Sequence, residues 1–128
     1  KKGSYSDQVG HVMDFMQTFV ELANAQYPQE FNGHQISPMQ GLSLSPSFKN
    51  KNNKGHQELF NEHFNARYAR VGDWKIVAKP GEKKWHLYKI SEDETELNDL
   101  ASKFPDKVNE LDGKWQAWAK ANKVFPKP

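Results

Sequence analysis

Five histidines, His11, His34, His56, His63 and His86, are the side chains of this sequence best suited to proton transfer or metal ligation. No two of them stand at the H-x-x-x-H spacing that puts two imidazoles on one helix face for zinc. The sequence therefore reads each as a scattered surface histidine. There is no cysteine, which removes thiolate ligands, disulfides and a thiol nucleophile together. Glu92, Asp93 and Glu94 set three carboxylates in a row, but the glycine that an EF-hand loop requires is absent, so an exposed turn is expected. No Gly-rich phosphate loop and no G-x-S-x-G elbow occur. Trp74, Trp85, Trp115 and Trp118 could stack on sugar rings. At strand and helix spacing, such side chains more often fill a core.

The elements that must position these residues follow from periodicity. Val12, Phe15, Phe19 and Leu22 recur at helical spacing, and Met13, Met16, Val20 and Ala23 widen the stripe. They predict a helix over 10–25, capped by Ser6 or Asp7 and ended by Tyr27-Pro28. Residues 28–54 read as irregular, and the run Lys49 to Lys54 as a solvated loop. Four strands are expected at 57–63, 66–71, 74–79 and 85–90, with Gly72-Asp73 as a hairpin turn. Trp74, Ile76 and Ala78 alternate with Lys75, Val77 and Lys79, as in a sheet with one covered face. Thr95 is expected to cap a short helix over 96–101. A last helix over 105–122 carries Val108, Leu111, Trp115 and Trp118 in a stripe for the sheet. Gly113, inside it, weakens it slightly.

Composition narrows the function classes. The chain has 128 residues, enough for one modest core. Eighteen basic against sixteen acidic side chains give a net charge of +2, too small a surplus for a nucleic-acid footprint. No stretch approaches the length of a membrane span, so no membrane partner is expected.

Several segments, in order, resemble the C-terminal part of the type I, formylglycine-dependent sulfatases. GHVMDFMQTFVELANAQYP is similar to the family's H-V-x-D-x-x-P-T-x-x-E-L-A helix, and PMQGLSLSP to its P-x-x-G-x-S-L-x-P loop. ELFNEHFNAR resembles L-F-W-E-H-x-G-N-R. Further on, Gly72 to Ile76 resembles G-x-W-K-[LI], Leu87 to Ile90 an LYDL-type strand, and Asp93 to Leu100 a D-P-x-E-x-x-D-L turn. The sequence departs from these patterns at Gln17, Asn61, Ala66, Lys89 and Glu94.

The resemblance implies an α+β fold. A small four-stranded antiparallel sheet packed by a C-terminal helix would follow one helix and a loop belonging to the large alkaline-phosphatase-like sulfatase domain. Residues 1–54 would be the tail end of that domain and 55–128 the C-terminal subdomain. It also implies a parent enzyme, periplasmic or secreted, that hydrolyses a sulfated small molecule or glycan. The parent would use formylglycine, made from the Cys or Ser of [CS]-x-P-x-R, and calcium. None of the residues two before the seven prolines is Cys or Ser, so that machinery belongs to an upstream catalytic sulfatase domain and the chain alone is expected to be inactive. No catalytic, cofactor or metal residue is assigned within the chain. By alignment with the E-H position, His63 is the candidate pocket-lining residue; Arg67 either orients its strand or contacts the anionic substrate. Without its large domain, the stripe of the first helix points to weak self-association. An alternative function is a stand-alone binding module for sulfated or acidic glycans, built on Lys75, Lys79, Lys83, Lys84 and Trp85. A third is an assembly domain that covers a partner's edge strand.

Overall fold

The structure, a computed structural model, describes residues 3, 5–6, 8–49 and 55–125, so Asp7 and most of the expected 49–54 loop lie outside the described residues. The chain divides into two compact units, Lys1–His56 and Gln57–Pro128. Among the described residues, no helix is long and apolar enough to cross a membrane.

The first unit contains α1 (Asp14–Leu22), β1 (Glu30–Phe31), β2 (His34–Gln35) and α2 (Ser45–Phe48). Helix α1 is shorter than the expected 10–25. Ser6 does not cap it: the cap position is Met13, with no side-chain cap bond. It stops because Asn24 turns left-handed (φ 48°), and the N–H groups of Asn24 and Ala25 then bond the Glu21 and Val20 carbonyls. Tyr27-Pro28 lies beyond that stop. The segment read as irregular holds a small antiparallel hairpin, β1 with β2, closed by Asn32 (φ 50°) and Gly33 (φ 77°). Asn-Gly is the preferred pair for such a type I′ turn.

Asp14, fully buried, ties this unit together. Its Oδ2 accepts the His11 N–H at 2.8 Å. Its Oδ1 accepts the Leu42 N–H at 2.8 Å and lies 2.7 Å from His56 Nε2. One turn later, the Thr18 hydroxyl donates to the Asp14 carbonyl at 2.7 Å and accepts the Leu44 N–H at 2.9 Å. Ser45 Oγ donates to Glu21 at 2.8 Å. The 41–45 loop thus lies directly on α1, and Gly41 is there because nothing larger fits. A Cβ at Gly41 would stand 2.2 Å from the Met13 carbonyl oxygen and 2.9 Å from the Asp14 Cα. Asp14, Thr18 and Glu21 on the polar side of α1 are thus engaged, while Val12, Phe15, Met16, Phe19 and Leu22 are each more than half exposed.

The second unit is a four-stranded antiparallel meander, β3 (Glu58–His63), β4 (Ala66–Val71), β5 (Trp74–Ala78) and β6 (His86–Lys89), with α3 (Pro105–Ala121) packed on β4 and β5. Ala69, Ile76 and Leu87 stand in register across three strands and meet Leu111, Trp115 and Ala119, which recur at i, i+4 and i+8 on α3. Small side chains at Ala69 and Ala119 let the helix approach the sheet. Val108 and Trp118 pack against this core only partly buried, so Ala119 replaces Trp118 in the buried row. Gly113 is exposed, with open space around it.

The expected helix over 96–101 does not form. Instead the Asp93 carboxylate accepts the Leu97 and Asn98 N–H groups, and Glu96 is left-handed (φ 59°). Asp99 Oδ1 accepts the N–H groups of Leu87 and Ala101, and Leu100 N–H bonds the Leu87 carbonyl. The backbone groups a helix needs are engaged by the edge of β6, which outweighs the weak local propensity of 96–101.

Candidate functional site

Antiparallel register fixes which side chains share a face of the sheet. Glu62, Arg67 and Ala78 are aligned, as are Phe60, Ala69, Ile76 and Leu87, and both rows belong to the face that α3 covers. His63 pairs with Ala66 and Asn61 with Tyr68, on the far face. The two substrate-binding candidates, His63 and Arg67, therefore stand on opposite faces.

Arg67 lies over the Trp85 ring at 4.5 Å and 5.8 Å from the Trp115 ring, and donates to the Lys83 carbonyl at 3.5 Å. Such stacking suits guanidinium, whose plane is weakly hydrated. Trp85 also meets the Trp115 ring edge-on at 5.7 Å. The surface considered for glycans is not assembled: Trp85 is held by Arg67 and Trp115, and Lys75 lies on the far face, paired with Glu96 and over the Tyr68 ring.

His63 is exposed at the end of β3, where the chain reverses through Phe64 (φ 48°) and Asn65 (φ 68°). Both central residues have positive φ, as in a type I′ turn. Asn65 tolerates this conformation, whereas for Phe64 it costs about 1–2 kcal/mol. The Glu62 carboxylate accepts the Asn65 N–H at 2.8 Å and pins the turn. The Phe64 ring is 79% exposed and meets the His63 imidazole edge-on, with centroids 4.5 Å apart at 70°. This hairpin was not visible as a tight turn in the sequence, since it carries no glycine.

Two histidines read as surface residues prove to be paired. The His56 side chain is buried against Asp14. His86 Nδ1 lies 2.8 Å from Asp99 and Nε2 3.3 Å from Glu82. Burial raises the Asp99 pKa, but the N–H groups of Leu87 and Ala101 and the His86 ring outweigh it and hold the carboxyl below its usual range. These contacts tie β6 to the 99–101 segment. Glu92 and Glu94 are exposed, and among the described residues no group of three His, Cys, Asp or Glu could hold a metal ion. A separate cavity of about 320 Å³ in the first unit is lined by Gln17, Gln29, Gln35 and Tyr27 over Ile36 and Met39. It carries no carboxylate, imidazole or amine.

No family model matches the chain. It is 31% identical to an uncharacterized sulfatase of Schizosaccharomyces pombe over 96% of its own length, and 31% identical to arylsulfatase K of Xenopus laevis over 88%. The chain is similar to these sulfatases over nearly its whole length. It spans 23% and 22% of the length of these two relatives. Among solved structures, a 2-O GAG sulfatase superimposes with a TM-score of 0.62 at 21% identity, over 86% of the chain and 24% of that protein. A protein solved with its substrate D-glucosamine-2-N,6-O-disulfate superimposes with a TM-score of 0.58 at 23% identity, over 88% of the chain and 24% of that protein. These likenesses agree on the fold. The motif residues acquire physical roles in the structure. Asp14, Thr18 and Glu21 bind the 41–45 loop, Gly41 permits its approach, and Asp93 and Asp99 shape the turn after β6.

Proposed function

We propose that the chain is the C-terminal portion of a larger sulfatase that hydrolyses sulfate esters, and that it supplies a wall of the substrate site rather than the reacting groups. The observation that carries this reading is the relation to sulfatases over nearly the whole chain, joined to the exposed imidazole at a pinned hairpin tip. The formylglycine and calcium of such an enzyme do not fit the residues present. There is no Cys, no Ser stands two residues before a proline, and no described cluster can hold the metal. Both groups are therefore assigned to upstream sequence.

In this reading residues 1–54 close the large domain and 55–128 form the C-terminal subdomain. The exposed apolar side of α1 packs on the upstream catalytic domain, and in the isolated chain the same side causes weak self-association. His63 borders the substrate and hydrogen-bonds a sulfate oxygen. Arg67, stacked on Trp85, positions the β3–β4 hairpin. The substrate is a sulfated small molecule or glycan.

In the sulfatase that contains this chain, His63→Ala is expected to raise KM for an aryl sulfate about tenfold, the scale of one lost hydrogen bond to a charged group. Its exposed position predicts an unchanged melting temperature. A variant with wild-type KM and kcat would remove His63 from the substrate site.

A further inference from the structure

Phe64 is at odds with its own backbone. A type I′ turn favours Asn, Asp or Gly at both central positions, and Asn65 obeys while Phe64, at φ 48°, does not. Nor is the ring buried for stability. It is 79% exposed, and among the described residues the ring that meets it is the His63 imidazole, edge-on. A strained backbone that carries an exposed aromatic is more consistent with recognition than with folding. The Glu62 carboxylate on the Asn65 N–H keeps the turn from relaxing, so the ring is presented in a fixed place at little further entropic cost.

From these observations we infer that Phe64 is a specificity-determining residue: its face stacks on the ring that bears the sulfate ester, while His63 beside it meets the sulfate. This inference rests on the function proposed above and deepens it. An aromatic face offers an apolar surface and a negative quadrupole, which suit the flat C–H side of a pyranose or the face of an aryl ring. Neither attracts the sulfate itself, so Phe64 selects for the ring and not for the anion. Both rings share that chemistry, and an acyclic alkyl sulfate lacks it.

The test uses Phe64→Asn and Phe64→Trp. In the 128-residue chain, Phe64→Asn relieves the turn and raises the melting temperature by about 4–8 °C, the shift for roughly 1 kcal/mol in a unit of this size. A lower melting temperature would show that the ring has a packing role and would overturn the inference. In the sulfatase containing the chain, Phe64→Asn raises KM about five- to tenfold for p-nitrophenyl sulfate or for a 6-sulfated glucosamine, with kcat unchanged. Whichever ring responds names the substrate class. Phe64→Trp keeps KM near wild type, and KM for an acyclic alkyl sulfate stays constant throughout. An active enzyme whose KM for ring substrates ignores Phe64→Asn overturns the inference alone, as does an equal rise for the acyclic ester. A wild-type enzyme that hydrolyses no sulfate ester sinks the proposed function and this inference with it.

Discussion

Trp115→Ala is expected to destabilise the second unit by about 3–5 kcal/mol, the usual cost of removing a large buried aromatic. The ring is 2% exposed and lies among Trp85, Trp118 and Phe125 at centroid distances of 5.7, 6.3 and 6.1 Å. Its indole N–H donates to the Asn61 carbonyl at 3.1 Å, so the substitution also strips β3 of a hydrogen bond from α3. Small domains are stable by only about 5–15 kcal/mol, so the loss takes a large share of the total. Trp115→Phe, which keeps an aromatic body but not the donor, should cost less. Urea unfolding followed by the fluorescence of the remaining tryptophans measures both. A loss below about 1 kcal/mol for Trp115→Ala would mean that α3 does not seal the sheet.

A second large effect is expected at Asp14. Replacing it with Ala leaves the His11 and Leu42 N–H groups and the His56 ring without their shared acceptor, at a cost of about 3–5 kcal/mol for a broken buried pair. Burial alone would raise the Asp14 pKa, but the Leu42 N–H, the His56 ring and the His11 N–H together hold it below the ordinary aspartate value. Because the folded pKa is depressed, the stabilisation is complete above the unfolded value, about pH 4, and disappears as pH falls through the lower folded value. Asp14→Asn should abolish that acid-sensitive component, and Asp14→Ala, which removes the acceptor, should expose the Leu42 amide to exchange already at neutral pH. Amide hydrogen exchange at Leu42 and Leu44 reads this directly. Wild-type protection of Leu42 in Asp14→Ala would refute the role given to the carboxylate.

How much of this was legible in the sequence depends on the range of the interaction that decides each element. Local signals sufficed for the sheet. Gly72-Asp73 closes the β4–β5 hairpin, and the alternation of Trp74, Ile76 and Ala78 marks the covered face. The α3 stripe was equally plain, although its buried row runs through Ala119, since a small side chain marks the closest approach of helix and sheet. Asn32-Gly33 carried the strongest short hairpin signal in the chain, but its strands are only two residues long and show no alternation to support it. Other features were decided far along the chain. His56 is buried because its partner Asp14 lies 42 residues away, and the helix expected over 96–101 loses its backbone groups to Asp99 and Leu87. The candidate site was half legible. Alignment of the E-H pair singled out His63, but strand register, not composition, places Arg67 on the opposite face. The turn at Phe64 contradicts the rule by which turns are recognised, which is also why it stands out once φ is known.

The most direct test is turnover of a chromogenic aryl sulfate, with calcium present, by the 128-residue chain and by the longer protein proposed to contain it. The account predicts hydrolysis by the longer protein and none by the chain, which has neither a Cys nor a Ser two residues before any proline. Turnover that follows the isolated chain through purification would contradict it.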